Sequence, residues 1–138
     1  MLQSALVGIA FVHERKYVWV NRTFAKLAGI PETELIGKPT LNQFADEASW
    51  QEFGQRAYPS IARGEPFSSE SQIRHSDGSL LWVETSGCPV DPAQPEKGTI
   101  WTFLDISRRK QAELDIGLAL EQQRELNILK SRFVSMTS

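Results

Sequence analysis

The sequence predicts an α+β fold: a five-stranded antiparallel sheet with short helices on one face, followed by one long helix. Two strand-like segments come first, then a group of short helical segments, then three more strand-like segments, and such runs favour an antiparallel sheet. The character changes near Asp105, because the thirty-two residues after Ile106 contain no proline and a single glycine. We therefore predict a compact domain over residues 1–106 and a helical extension over residues 107–138.

The first two predicted strands form a hairpin that leads into a short helix. "VGIAFV" and "YVWVN" are rich in β-branched and aromatic residues and flank the polar turn "HERK". Asn21 stands where a helix N-cap belongs, Phe24 begins an apolar side, and Gly29 ends the segment.

Two more helical segments precede the remaining strands. "PETELIG" begins with a helix-compatible proline and ends at Gly37. In the next segment, Asp46 is placed to cap the start and Gly64 to close the end. Between them, four apolar residues have the spacing that places them on one buried face of a helix: Trp50, Phe53, Ala57 and Ile61.

The last three predicted strands include a second hairpin. Asp77 and Gly78 lie between "FSSESQIRH" and "LLWVETSGCPV", and an Asp-Gly pair between β-like runs is a strong signal for a tight turn. The final strand, "GTIWTFLDI", runs directly into the predicted long helix. Asp105 or Ser107 is placed to cap the first turn of that helix.

Composition excludes several classes of function. With 41% hydrophobic residues, 23% charged residues and a net charge of -2, the chain lacks the basic excess that binds nucleic acid. The apolar run "ALVGIAFV" is far shorter than the ~20 residues of a membrane span. The lone cysteine, Cys88, cannot form a disulfide within the chain, which agrees with a reducing compartment. We expect a cytoplasmic domain that contacts neither nucleic acid nor a membrane.

Three segments resemble, in order and spacing, the PAS sensory domain: "YVWVNRTFAKLAGIPETELIGK", "GEPFSSESQIRHSDGSLLWVETSGCPV" and "KGTIWTFLDISRRKQAE". The resemblance spans nearly all of residues 6–113. The residues that carry it are Asn21, Phe24, Gly29, Gly37, Asp77, Gly78, Trp82 and the closing Asp105, Ile106 and Ser107. It implies the PAS fold, and it implies that the closing three residues couple movement of the sheet to the outgoing helix. Ser107 stands where threonine is more usual.

The tail carries a second resemblance. "LKSRFVSMTS" is similar to the start of the dimerisation helix of bacterial sensor histidine kinases, in which the next residue would be the histidine that receives phosphate. His13 and His75 lie outside that motif, and the sequence contains no ATP-binding motif. The resemblance implies a two-component sensor histidine kinase as the parent protein. The chain itself is expected to have no enzymatic activity.

The predicted long helix has a thin apolar seam that suits a parallel homodimer. Steps of four and three connect Ala112, Ile116, Ala119, Gln123, Leu126, Leu129, Phe133 and Met136. Two three-residue steps meet at Leu126 and break the heptad in the manner of a stammer. A competing stripe on another face consists of Leu114, Leu118 and Glu121. The alternatives are a solvent-exposed tail, a dimer seam, and two registers that a signal exchanges; we favour the dimer.

A bound cofactor finds little support in the sequence. Flavin adduct chemistry needs a reactive cysteine in a helix, and the corresponding region "PTLNQFADEAS" has none; Cys88 falls on a predicted strand, where we expect a buried thiol. Haem needs an axial ligand such as histidine, and His13 and His75 fall near predicted turns at the solvent. No Cys or His pair has metal-ligand spacing. We expect no cofactor, and the signal and ligand stay open.

Three functions are therefore weighed. The first is a sensory and dimerisation module that signals to the kinase region of its parent chain, and the second is a ligand-free PAS platform for protein interaction. The four tryptophans could line an aromatic pocket for a ligand, but we favour a role in packing the sheet and core for them: Trp19, Trp50, Trp82 and Trp101. The third function is that of a small enzyme, which we disfavour because its candidate acidic residues fall in turns, at strand ends or at positions predicted to face outward. These residues are Glu70, Asp77, Glu84 and Asp105.

Overall fold

The structure is a computed structural model that describes residues 6–137. The first five residues of the predicted domain and Ser138, the last residue of the predicted helix, lie outside the described residues. The chain divides between Ile106 and Ser107 into two units, a domain and a single helix.

A five-stranded antiparallel sheet forms the domain, as the sequence predicts. The strands are β1 (Gly8–His13), β2 (Lys16–Val20), β3 (Phe67–Arg74), β4 (Leu80–Pro89) and β5 (Thr99–Asp105). They lie in the order β2-β1-β5-β4-β3, and each neighbouring pair is antiparallel. Two hairpins therefore flank the last strand of the domain, which occupies the centre of the sheet.

Short helices connect the two hairpins and pack on one face of the sheet. They are α1 (Arg22–Ala28), α2 (Glu32–Leu35), a 3-10 turn (Thr40–Gln43) and α3 (Glu47–Ala62), and a further 3-10 turn (Pro95–Lys97) precedes β5. Helix and strand side chains share one apolar core, in which Phe24 and Val83 are buried. The predicted apolar stripe of α3 contributes the buried residues Phe53, Ala57 and Ile61.

Asn21 ties α1 to the sheet. It is fully buried, and its Oδ1 accepts hydrogen bonds from the backbone N–H groups of Phe24 and Ile9, each at 2.9 Å. Its Nδ2 donates to the carbonyl oxygen of Val7 at 3.0 Å. The predicted N-cap is confirmed, and the same amide also bonds to the backbone at the start of the sheet.

Gly29 ends α1 in the left-handed conformation, with a φ of 70°. A Cβ atom there would lie 2.4 Å from the imidazole of His75, and Ser76 Oγ donates to the Gly29 carbonyl at 2.8 Å. The His75 side chain is consequently only 29% exposed. The expectation that it lies at the solvent holds only in part, because the β3–β4 turn folds back onto the end of α1 and half-buries the imidazole.

The predicted Asp77–Gly78 turn is confirmed and closes the β3–β4 hairpin. Asp77 Oδ1 accepts hydrogen bonds from the N–H of Ser79 at 2.8 Å and from its hydroxyl at 2.6 Å. These bonds hold the pKa of the Asp77 carboxyl below its ordinary value. Gly78 supplies the positive φ, 92°, that the turn requires.

Cys88 is exposed, whereas the sequence led us to expect a buried thiol. Val83, Thr85 and Gly87 of β4 are buried, and successive side chains of a strand alternate between its two faces. Cys88 therefore lies on the outer face of the sheet. The expectation was wrong because it rested on residue type, while the register of β4 decides which face each residue occupies.

The second unit is a single helix, α4 (Ser107–Thr137), of 31 residues. At 1.5 Å per residue its length is about 45 Å. Every residue from Gln111 to Met136 is exposed. The predicted long helix is confirmed, while its pairing as a coiled coil stays a prediction. No helix in the described part of the chain combines the length and the apolar character needed to cross a membrane.

Candidate functional site

A cavity of about 40 Å³ lies inside the domain, between the sheet and the helices. Its aromatic lining consists of Tyr17, Phe44, Phe53, Tyr58, Trp101 and Phe103. Its polar lining includes Arg15, Thr40, Gln43, Ser71 and Thr85. Because one buried water needs about 10–15 Å³ on this measure, the cavity has room for about three water-sized groups.

The aromatic wall is built around Phe53. Its ring centroid lies 5.4 Å from that of Phe44, 5.3 Å from that of Trp101 and 5.7 Å from that of Phe67. Gly87 lies opposite Trp101 in the sheet, and a Cβ atom on Gly87 would come within 2.4 Å of the indole. The glycine therefore gives the indole the space in which it lines the cavity.

Arg15 enters the site from the β1–β2 turn, where it has a φ of 60°. Its guanidinium lies 3.7 Å from the ring centroid of Trp50 and 5.1 Å from that of Tyr58, and Nη2 donates to the Trp50 carbonyl at 3.0 Å. Gly54 makes room for it, because a Cβ atom there would lie 2.9 Å from Nη1. The cation is thus enclosed by aromatic faces and by the backbone of α3.

Thr40 links the Arg15 turn to α3. Its backbone N–H donates to the Arg15 carbonyl at 2.9 Å, and its hydroxyl accepts from Trp50 Nε1, also at 2.9 Å. The β1–β2 turn, the 3-10 turn and α3 are therefore joined around the guanidinium, which fixes its position at the edge of the cavity.

The lining of the cavity contains one charged side chain, Arg15, and two polar atoms without partners among the described residues. The lining includes no acidic residue, and no carboxylate of the described residues lies within 4.0 Å of the Arg15 guanidinium. Arg15 Nε and Gln43 Oε1 are both buried without a hydrogen-bond partner among residues 6–137. Gln43 is only 4% exposed. Buried polar groups are usually paired, so two residues of the cavity lining each keep an unused hydrogen-bonding atom in the described part of the chain.

Two tyrosines of the lining are held in their neutral form. Burial raises the pKa of Tyr17 far above its ordinary value, with a smaller contribution from Tyr58. Burial also raises the pKa of Tyr58, and the positive charge of Arg15 offsets part of that shift. Both phenols are therefore protonated at neutral pH and retain an O–H donor.

The predicted motif residues are not part of the cavity lining. Phe24 is fully buried and contacts the rings of Tyr17 and Phe103, with centroids 5.2 and 4.8 Å apart. Gly37 has a φ of 85° and donates its N–H to the Tyr17 carbonyl at 2.7 Å. The other motif positions lie at helix ends, in the turn and on β4: Asn21, Gly29, Asp77, Gly78 and Trp82.

The junction residues connect the central strand to α4. β5, which contributes two aromatic residues to the lining, ends at Asp105, and α4 begins at Ser107. The single residue between them, Ile106, is 6% exposed and donates its N–H to the Trp82 carbonyl at 3.0 Å. The capping and signal-transfer roles of Asp105 and Ser107 stay predictions.

One of the four tryptophans, Trp101, lines the cavity. Trp50 instead covers Arg15, and Trp82 is 36% exposed. The acids weighed for an enzyme are exposed and are not part of the lining: Glu70, Asp77, Glu84 and Asp105.

Sequence reasoning missed Arg15 and Gln43. Arg15 lies in "HERK", interpreted as an ordinary polar turn, and Gln43 lies in a segment without a clear periodic pattern. Neither position carries a local signal, because what distinguishes them is the enclosure that α3 and the sheet provide.

A family model described as PAS fold matches residues 4–111 of the chain. The sensor protein TdiS of Thauera aromatica is 28% identical over 122 residues, which are 88% of this chain and 22% of that protein. The chain therefore spans about a fifth of the length of this curated relative.

Solved structures share the fold at low sequence identity. The PAS domain of a LuxR-family transcriptional regulator from Burkholderia thailandensis, in complex with ethanol, has a TM-score of 0.69 and 23% identity, covering 77% of this chain and 94% of that one. A domain of a sensory box sensor histidine kinase/response regulator from Geobacter sulfurreducens has a TM-score of 0.57 and 22% identity, covering 75% of this chain and 87% of that one.

Proposed function

The chain belongs to the PAS family, and on that basis we propose that it is the sensory and dimerisation module of a two-component sensor histidine kinase. In this role a change in the core passes through α4 to a kinase region of the parent protein. The relative named a sensor protein and the sensor histidine kinase domain of the same fold support this assignment. The module transmits a signal and performs no chemistry itself.

The observation that carries the proposal is the position of β5. It is the central strand, its side chains line the cavity, and one residue separates its end from α4. A shift of β5 in response to the cavity contents is therefore delivered to the start of α4 through Ile106. This chain connectivity supplies a short physical route for a signal.

Helix α4 supports the dimerisation part of the proposal. Its large apolar side chains are mostly exposed, including Leu126 at 51%, Leu129 at 60% and Phe133 at 68%. A helix that leaves such residues in water gains by burying them against a second copy. The occupant we propose is the same helix of a second chain, in parallel orientation.

Substitution of Leu126 or Phe133 by glutamate is expected to give a monomer, because a charge at the seam opposes its burial in the dimer. Light scattering of the wild-type chain should give twice the chain mass of 15.6 kDa, and the variants should give the chain mass itself. Ser131→Glu, on the opposite side of α4, is the matched control and should stay dimeric. An unchanged dimer mass in the seam variants would place the interface on the sheet face or the N-terminal segment.

Asp105→Ala is expected to change autophosphorylation of the full-length parent kinase by about fivefold or more, the lower range of coupling between sites. The reason is that the change lies at the junction through which β5 drives α4. Asp91→Ala, which removes a carboxylate from the loop before β5, should leave the rate near that of the wild type. If the Asp105→Ala kinase autophosphorylates and responds as the wild type does, the role of Asp105 at the junction is structural only.

A ligand-free interaction platform is the second candidate, favoured by the small cavity volume of about 40 Å³. In that case the core of the domain is filled by its own side chains, and only protein contacts bias α4. Native mass spectrometry distinguishes the two, because a bound ligand adds mass per chain that leaves on denaturation.

A further inference from the structure

We infer that the cavity binds a short 2-hydroxycarboxylate, whose carboxylate is held by Arg15 and whose hydroxyl is held by Gln43. The inference rests on the proposed function in one respect: if the domain is a sensor, this ligand is the signal that it senses. Binding itself is a property of this domain and is measured without the kinase.

Charge is the first reason for an anion. Arg15 brings a guanidinium to a cavity with aromatic walls and no acidic lining residue. The faces of Trp50 and Tyr58 and the Trp50 carbonyl stabilise this cation in part, but no carboxylate of the described residues neutralises it. A ligand carboxylate in such a weakly polar enclosure forms a strong, charge-assisted hydrogen bond.

The unpaired atoms define the ligand further. Arg15 Nε–H needs an acceptor and Gln43 Oε1 needs a donor. A carboxylate with a hydroxyl on the neighbouring carbon supplies the acceptor and the donor within one small molecule. An α-amino acid fits less well, because its ammonium group would lie near the guanidinium and would meet no carboxylate in the lining.

Size and access agree with this class. A volume of about 40 Å³ holds about three water-sized groups, which is less than the whole of glycolate. The hydroxyl end therefore occupies the cavity, and the carboxylate lies at Arg15, which also lines the space outside. Arg15 and Tyr58 also line an open surface cleft of about 450 Å³, on the outer side of the cavity. Together with Val12, these two side chains line both the cleft and the cavity. The cleft lining also includes Glu14 and Glu96, so an anion that enters this way passes two carboxylates besides the guanidinium.

The test is an NMR titration of the wild-type chain with sodium glycolate, alongside acetate, glycine and ethylene glycol. Glycolate should shift the amide signals of residues that line the cavity and should bind tightest. Acetate, which lacks the hydroxyl, should bind about two- to tenfold more weakly, as expected for one lost hydrogen bond. Ethylene glycol, which lacks the charge, and glycine should bind more weakly still.

Two variants assign the contacts. Arg15→Gln should weaken glycolate binding by about ten- to a hundredfold, the range for loss of a hydrogen bond between charged groups. Gln43→Leu should abolish the preference for glycolate over acetate. Arg56→Gln changes an exposed arginine of α3 that pairs with Glu52 at 3.7 Å, and it should bind glycolate as the wild type does.

The preference of the wild-type chain for glycolate over the other three compounds tests the inference even if a variant fails to fold. No shift of cavity signals with glycolate, or equal binding of glycolate and ethylene glycol, would overturn the inference and leave Arg15 as a structural clamp on Trp50. The proposed signalling role is tested separately, since dimer mass and kinase output do not depend on which molecule occupies the cavity.

Discussion

Asn21→Ala is expected to lower the free energy of unfolding of the domain by about 3–5 kcal/mol. One buried amide accepts from the N–H groups of Phe24 and Ile9 and donates to the carbonyl of Val7. Removing it leaves three backbone groups without that partner, each worth about 1–3 kcal/mol when buried, and removes the N-cap of α1. Urea denaturation followed by tryptophan fluorescence measures the change.

Asn42→Ala provides the matched control for the same chemical change at an exposed position of the 3-10 turn. Its free energy of unfolding should lie within about 0.5 kcal/mol of the wild type. Asn21→Asp should fall between the two, because the carboxylate retains the acceptors and loses the donor to Val7. Equal stability of Asn21→Ala and Asn42→Ala would show that Asn21 does not join α1 to the sheet.

Gly87→Ala is expected to lower the free energy of unfolding by about 2–3 kcal/mol and to narrow the cavity. The added Cβ would come within 2.4 Å of the Trp101 indole, which is 4% exposed and is packed against Phe53 and Tyr58. The indole therefore has to move towards the cavity that it lines. Urea denaturation measures the change in the free energy of unfolding. Titration with glycolate measures the loss of affinity that a narrower cavity causes.

A double-mutant cycle isolates the contact. In a Trp101→Leu background, the loss caused by Gly87→Ala should be smaller, because the shorter side chain leaves room for the Cβ atom. Gly117→Ala is the control for the alanine substitution itself: a Cβ there meets nothing within 4 Å, and the helix should gain roughly 0.5–1 kcal/mol. Additive effects at Gly87 and Trp101 would mean that the two residues do not contact each other in solution.

Elements with local signals were predicted correctly from the sequence. Asn21 caps α1 through a bond to a residue three positions away, and Asp77–Gly78 closes a turn within four residues. The long helix α4 follows from composition over thirty-one residues. Such features depend on neighbouring residues, whose types are visible in the chain.

The candidate site depends on residues that are distant in sequence. Arg15 and Trp50, which are in contact, are separated by 35 positions, and Gly87 meets Trp101 across two strands. The polarity of an arginine in a turn predicts exposure, yet α3 and its Gly54 enclose this one. Cys88 shows the same limit, because a shift of one residue in strand register moves a side chain to the other face.

Periodicity, turn chemistry and composition are local properties of the chain, and they predict an α+β domain, the order of its elements and the length of α4. The PAS fold was implied by the resemblance of its motifs to that family. Tertiary structure alone decided that β5 takes the centre of the sheet, that Cys88 faces outward, and that Arg15 and Gln43 border one cavity. The physical reason is that burial and charge pairing are set by which distant segments pack together, and this packing is decided by the whole chain.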